Sequence, residues 1–220
     1  MSTAREHRIE VTRSARYYSL GPDDGTAKEL WFVLHGYGQL AAQFIRVFEA
    51  LDDGSRLIVA PEALNRFYLA GVDTAPAAER AVGATWMTRE DREHEIADYL
   101  RYLDRVAECV LAGVAPARVI VLGFSQGTAT AARWIARGGI QPTRTIMWSG
   151  FLPPELDLSG QRSPFVIVIG EQDRFVSRER VAEEERRLAA AGVPYELIRY
   201  PGGHGIARDR LQEIARRLTG

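Results

Sequence analysis

The sequence predicts an α/β fold in which a mostly parallel central sheet is covered by helices on both faces. Four apolar runs of strand length each end at glycine or proline, as buried central strands do: 30–34, 57–60, 119–122 and 165–169. Two further strands are predicted at 145–148 and 195–200. Segments with helical spacing lie between the strands: 41–51, 89–111, 127–136, 178–191 and 206–218. Alternating strands and helices of this kind place ligands at the carboxyl ends of the strands.

Two stretches depart from this alternation. Residues 8–20 alternate between apolar and polar side chains, which predicts an edge hairpin. Residues 62–87 contain aromatic residues around a middle rich in Ala, Gly and Pro, and they fit neither period. We interpret this segment as a lid or pocket loop, with a poorly ordered surface excursion as the alternative. Residues 1–220 are predicted to form one domain.

The composition of the chain argues against nucleic acid or an anionic membrane as a partner, and against an internal disulfide. The 28 Lys and Arg nearly cancel the 29 Asp and Glu, so no net field attracts nucleic acid or an anionic membrane. We expect a cytoplasmic protein, because we find no signal peptide pattern and no apolar stretch that spans a bilayer. Cys109 is the only cysteine, which excludes an internal disulfide, and we expect it to be buried. The acidic stretch around His94 is interpreted as a solvated helix face, not a metal site.

A candidate nucleophile lies in the sequence Gly-Phe-Ser-Gln-Gly at 123–127. This G-x-S-x-G pattern follows a predicted strand and precedes a predicted helix, and that context gives the pattern its meaning. Small residues on either side permit a sharp turn that lifts the hydroxyl of Ser125 clear of the sheet. The alternative is a glycine turn with an incidental serine cap.

A serine hydroxyl needs a base, and the base needs an acid to hold its tautomer. His204 is the only histidine after Ser125, and it lies in a glycine-rich turn behind the last predicted strand. Asp173 follows the strand at 165–169 and is the predicted acid. Glu171 is its nearest competitor, and a helix-capping role for Asp173 is a further alternative.

Acyl transfer also requires N–H donors aimed at the developing oxyanion. The amide of Gln126, directly after the nucleophile, is the first predicted donor, and the amide of Tyr37 is the second. Tyr37 lies in His-Gly-Tyr-Gly at 35–38, just after a predicted strand. His35 is expected to brace this loop and not to react.

Together these motifs resemble the phospholipase/carboxylesterase family of α/β-hydrolases, which is similar to the acyl-protein thioesterases. The matching motifs are HGYG at 35–38, GFSQG at 123–127, GEQD at 170–173 with Val176, and Gly203-His204. The resemblance implies the α/β-hydrolase fold and an esterase or thioesterase without cofactor or metal. Dienelactone hydrolases are also similar, but they place a cysteine at the elbow, and Ser125 argues against their chemistry.

The chain departs from the thioesterases in the loop that shapes the acyl channel, since it lacks their Trp-Phe-Asp segment. Protein depalmitoylation is therefore not implied. Four aromatic residues are candidate pocket walls, with plain core packing as the alternative: Phe67, Trp86, Trp148 and Phe151.

The sequence thus predicts a serine carboxylesterase that hydrolyses small carboxylic esters or thioesters through an acyl-enzyme. Other serine hydrolase activities, such as those of a lactonase, a peptidase or a lysophospholipase, use the same triad and stay open. A non-catalytic binding protein of the same fold is the other alternative, although no triad residue is missing. The expected partner is a small-molecule ester, and a homodimer is left open.

Overall fold

In the computed structural model, which describes residues 3–69, 79–158, 160–161 and 163–219, seven strands form a central sheet and two form a small hairpin. The strands are Tyr17–Leu20 (β1), Glu29–Leu34 (β2), Arg56–Pro61 (β3), Asn65–Tyr68 (β4), Val82–Thr85 (β5), Arg118–Phe124 (β6), Arg144–Trp148 (β7), Phe165–Gly170 (β8) and Tyr195–Tyr200 (β9). The α-helices are Ala41–Phe44 (α1), Arg92–Leu111 (α2), Gln126–Arg137 (α3), Arg178–Ala190 (α4) and Arg208–Thr219 (α5).

The strand order in the central sheet is β1-β3-β2-β6-β7-β8-β9. Every neighbouring pair is parallel except β1 with β3, which is antiparallel at the edge. All carboxyl ends of the parallel strands therefore meet at one edge of the sheet. This arrangement confirms the predicted α/β-hydrolase fold.

Hydrophobic side chains cover both faces of the sheet, in two separate clusters. Along β2, Leu30, Phe32 and Leu34 enter the cluster formed with α2, α3 and α4. Trp31 and Val33 enter the other cluster, which is formed with α1, the following 3-10 helix and α5. The continuous apolar runs of the sequence are explained by this two-sided burial.

The predicted helix over 41–51 is α-helical only over its first turn, in α1. A 3-10 helix, Ile45–Leu51, continues it. Its buried residues are Ile45, Phe48 and Leu51, and this spacing of three matches the three residues per turn of a 3-10 helix.

The predicted N-terminal hairpin is wrong, because β1 is the only strand among the described residues before β2. Ile9 and Val11, which suggested the alternation, are 85% and 75% exposed and have no sheet to pack against. The prediction for Cys109 is also wrong, since its side chain is exposed. The buried stripe of α2 runs through Val106, Ala107 and Val110, and Cys109 lies on the neighbouring face.

The composition of the segment 62–87 suggested an irregular loop, but part of the segment forms regular structure. Strands β4 and β5 pair antiparallel, with Phe67 opposite Gly83, while residues 70–78 lie outside the described part of the chain. The sequence signal was weak because β5 contains Gly83 and Ala84, which have low strand propensity. Gly83 is required here, since a Cβ would collide with the carbonyl oxygen of Gly38.

Candidate active site

The backbone at Ser125 makes the sharp turn that the motif predicts. Ser125 has φ 53° and ψ −116° between the end of β6 and the start of α3. A non-glycine residue rarely adopts a positive φ, and such strain occurs at functional sites. The Ser125 amide donates to the Trp148 carbonyl at 2.9 Å, which fixes the turn against the end of β7.

The two glycines of the motif are needed for close packing. A Cβ on Gly123 would collide with the Gly127 carbonyl, and a Cβ on Gly127 would collide with the Leu34 carbonyl on β2. Because neither glycine has a Cβ, α3 can begin directly against β6 and β2. Ser125, the predicted nucleophile, thus lies above the sheet at the amino end of a helix.

The structure brings Ser125, His204 and Asp173 together from three strand ends. His204 Nε2 lies 3.0 Å from Ser125 Oγ, and His204 Nδ1 lies 2.8 Å from Asp173 Oδ2. The Asp173 side chain is fully buried, while that of His204 is 23% exposed. Asp173 Oδ1 also accepts the Phe175 amide at 2.9 Å, which orients the carboxylate. The competitor Glu171 is exposed.

The loop that carries His204 is held by hydrogen bonds from two residues at the ends of β7 and β9. Trp148 Nε1 donates to the Gly205 carbonyl at 3.0 Å, and the Tyr200 hydroxyl donates to the same oxygen. Burial raises the pKa of Tyr200, which keeps its hydroxyl a donor. Trp148 therefore positions the histidine loop from the core. The sequence analysis assigned Trp148 to the pocket wall or to core packing, because the hydrogen-bond partner of its indole cannot be read from the sequence.

Two aromatic rings hold the imidazole of His204 in place. The Phe124 ring centroid lies 5.1 Å from that of His204, and the Phe175 centroid lies 4.8 Å away in an edge-to-face arrangement. Phe175 is 62% exposed, so it forms part of the rim around the reactive groups. Neither ring was singled out from the sequence, although both adjoin motif residues.

The two predicted oxyanion donors have their amides available. Neither the Tyr37 amide nor the Gln126 amide donates to any partner within the described ranges. Gly36 lies against the nucleophile, since a Cβ built on it would be 3.2 Å from Ser125 Cβ. The loop at 35–38 therefore approaches the hydroxyl closely, as an oxyanion loop must.

His35 braces this loop, as expected. Its Nδ1–H donates to the Gly36 carbonyl at 2.8 Å, and its Nε2 accepts the Ala63 amide at 3.1 Å. The Trp86 indole donates to the His35 carbonyl at 2.8 Å. Burial lowers the pKa of His35, and this arrangement requires the neutral imidazole.

We expect His35 to make the fold sensitive to acid. The folded protein keeps His35 neutral, while the unfolded chain binds a proton below about pH 6.5, so acid favours unfolding. Urea unfolding should therefore show a free energy of unfolding that falls between pH 7.5 and 5.5, with His35 contributing up to about 1.4 kcal/mol per pH unit. Replacement His35→Gln should remove this contribution, and His7→Gln, at an exposed position, should keep it. An unchanged slope in His35→Gln would contradict the assignment.

The structure corrects part of the predicted pocket. Trp86 and Trp148 are 1% and 0% exposed, so neither forms a wall that an entering substrate would meet. Phe67 is half-buried and lies against Tyr37, with ring centroids 5.1 Å apart. Phe151 is half-buried beneath the guanidinium of Arg180, which lies 4.4 Å from its ring centroid.

Ser125 is half-buried, and it lines neither of two grooves in the described part of the chain. These grooves lie at the amino ends of the strands, one of about 270 Å³ beside β8 and β9 and one beside β3. Neither groove contains a triad residue.

No cluster of His, Cys, Asp and Glu suited to a metal ion occurs among the residues that the structure describes. Over the same residues, none of the helices has the length and apolarity for crossing a bilayer.

Solved structures named as esterases or as a thioesterase share the fold of this chain. A phospholipase/carboxylesterase from Dyadobacter fermentans is 23% identical, with 96% of this chain and 99% of that chain covered and a TM-score of 0.68. Esterase PE8 is 25% identical, with 94% and 99% covered and a TM-score of 0.67. The acyl-protein thioesterase 2 of Zea mays is 19% identical, with 94% and 98% covered and a TM-score of 0.69. A search of curated proteins found no match.

The fold and the arrangement at the carboxyl ends of its strands define an α/β-hydrolase. Residues 33–216 match the model of the Dienelactone hydrolase family, and the chain belongs to this family. The match spans the oxyanion loop, the elbow, and the loops of Asp173 and His204. Within this hydrolase family, the chain itself has a serine, Ser125, at the elbow position.

Proposed function

We propose that the chain is a serine carboxylesterase that hydrolyses small carboxylic esters or thioesters through an acyl-enzyme. The observation that carries the proposal is the continuous hydrogen-bonded line from Ser125 through His204 to Asp173, with distances of 3.0 and 2.8 Å. Membership of a hydrolase family and structural neighbours with esterase names support hydrolysis of an ester bond.

In the proposed mechanism, His204 takes the proton of Ser125 as the serine oxygen attacks the substrate carbonyl. The amides of Tyr37 and Gln126 bind the oxyanion of the tetrahedral intermediate. Protonated His204 is stabilised by Asp173 and donates its proton to the leaving alcohol or thiol. A water molecule, activated by His204 in turn, then attacks the acyl-enzyme and releases the acid.

The rim around the nucleophile favours small, uncharged substrates with an apolar part. Tyr37 and Phe175 are 60% and 62% exposed, Phe175 lies against the His204 ring, and Leu69 on the hairpin is 50% exposed. Leu69 packs over the oxyanion loop, since a Cβ on Gly38 would lie 3.1 Å from its Cδ2. Exposed apolar groups of this kind are suited to contact the acyl or alkyl part of a substrate.

Lactone hydrolysis is the second candidate. The family to which the chain belongs is named for hydrolases of dienelactones, and a lactone is a cyclic ester that the same serine chemistry opens. Ring opening leaves the alcohol and the acid in one product. The single-domain organisation and cytoplasmic location remain predictions that accompany this proposal.

A substrate panel tests the proposed function. Purified protein should hydrolyse p-nitrophenyl acetate and butyrate, with a rate that falls for longer acyl chains, and it should leave peptide amides intact. Thioesters of the same acyl groups and a small lactone, assayed in parallel, rank the leaving groups. Absence of turnover on every ester, thioester and lactone would contradict the proposal, and cleavage of peptides at a higher rate would favour a peptidase.

A further inference from the structure

The segment 84–88, which begins in β5 and continues past its end, is hydrogen-bonded to the parts of the chain that carry both predicted oxyanion donors. On one side, the Gly38 amide donates to the Ala84 carbonyl at 2.8 Å, and the Ala84 amide donates to the Gln39 carbonyl at 3.2 Å. Both bonds are made by the two residues that directly follow Tyr37, whose amide is one of the predicted donors. The second strand of the hairpin is thereby bonded directly to the oxyanion loop.

On the other side, the same segment is bonded to the side chain of Gln126. Gln126 Nε2 donates to the Thr85 hydroxyl and to the Met87 carbonyl, both at 2.9 Å. Its Oε1 accepts the Trp86 amide at 3.2 Å. The Thr85 hydroxyl in turn donates to the Met87 carbonyl at 3.0 Å. The residue that supplies the other oxyanion amide is thus fixed through its own side chain.

These contacts are largely buried on the side of the hairpin. Ala84, Thr85 and Trp86 are at most 4% exposed, while Gln126 and Met87 are half-buried. Burial excludes competing water, so each bond is expensive to break. These hydrogen bonds fix residues 84–87, at the end of the segment 62–87, to two other elements of the fold.

We infer that Thr85 and the side chain of Gln126 form a positioning clamp, which sets the distance between the Tyr37 and Gln126 amides. The inference rests on the proposed function, since it concerns the two donors that the mechanism assigns to the oxyanion. Oxyanion stabilisation requires both donors to lie about 2.7–3.1 Å from one point. The two amides belong to different elements, and the clamp is the buried connection between them.

The variant Thr85→Val tests the clamp, because valine has the shape of threonine and lacks the hydroxyl. The turnover number kcat of an ester should fall about 10- to 100-fold with KM unchanged, since misplaced donors weaken binding of the transition state. Thr85→Ser should restore most of the rate. Gln126→Met should cause a similar loss, and the double variant Thr85→Val with Gln126→Met should lose little more than either single variant.

Thr88→Val is the matched control. Thr88 lies in the same segment but is exposed, and its hydroxyl bonds to Glu90 and Glu95, not to Gln126. Its kcat should equal that of the wild type. The rate of each variant is divided by the concentration of active sites, which is measured by titration with a fluorophosphonate. Partial unfolding then lowers the measured concentration of active sites and leaves kcat unchanged.

A second readout separates donor geometry from general loosening. An alkyl boronic acid forms a tetrahedral adduct that occupies the oxyanion position, so its inhibition constant should rise in Thr85→Val by the same factor as kcat falls. Unchanged kcat and unchanged boronate affinity in Thr85→Val, or no rescue by Thr85→Ser, would overturn the inference while Ser125-dependent turnover in the wild type still stands. If the wild type itself shows no Ser125-dependent turnover, the proposed function fails and this inference fails with it.

Discussion

Replacement of Ser125 by alanine is expected to lower kcat/KM for a short p-nitrophenyl ester by about 10⁴- to 10⁶-fold. Without the hydroxyl, His204 has no nucleophile to activate, and only the donors and binding contacts remain. Alanine tolerates the positive φ at this position no worse than serine does, so the fold should be kept. Steady-state kinetics at matched protein concentration measure the loss.

Ser14→Ala is the matched control for this variant, because Ser14 is exposed and lies far along the chain from the elbow. It should retain the wild-type rate. Thermal unfolding of both variants should give melting temperatures close to that of the wild type. If Ser125→Ala keeps more than about one thousandth of the wild-type rate, another group is the nucleophile.

The second large effect is expected for Asp173→Asn. Asparagine preserves the shape of the side chain but presents an amide, which favours the wrong tautomer of His204 and does not stabilise its protonated form. A loss of about 10⁴-fold in kcat is expected by analogy with the equivalent change in other serine hydrolases. The loss should appear in kcat more than in KM, because Asp173 does not contact the substrate.

Glu171→Gln is the control that distinguishes the two candidate acids. Glu171 is two residues away on the same loop, but it is exposed and forms no hydrogen bond with His204. Its variant should retain activity close to that of the wild type. A large loss in Glu171→Gln together with a mild one in Asp173→Asn would reverse the assignment of the acid.

The sequence predicted the fold because each central strand is apolar on both faces. Such runs, interrupted by glycine or proline and separated by helical periods, leave few alternatives to a parallel sheet covered on two sides. The edges were harder to predict. At the N-terminus, Ile9 and Val11 gave an alternating pattern without a partner strand, and a period of two does not reveal whether a neighbour exists.

The predicted triad residues converge because their positions follow from topology. Ser125, Asp173 and His204 each follow a strand, and the carboxyl ends of parallel strands share one edge. Pocket walls do not follow from such a rule. Trp148 also lies at a strand end, yet it points into the core, because which face a strand residue occupies depends on the layers packed around it.

The hairpin shows another limit of prediction from sequence. Its second strand is held by contacts with Gly38 and Gln126, which are distant along the chain, and its own residues carry little strand propensity. The glutamine of the elbow motif was assigned a role for its amide. The role of its side chain became visible only when Thr85 and Met87 were located beside it.

The most direct test of the proposed mechanism is the site of covalent modification by a fluorophosphonate, measured by intact mass and peptide mapping. A nucleophile activated by His204 should accept one phosphonyl group per chain, located on the peptide that contains Ser125, with loss of ester turnover in proportion to labelling. His204→Ala should label much more slowly under the same conditions. Turnover that survives complete labelling of Ser125, or a label found on a different residue while Ser125 stays unmodified, would contradict the account.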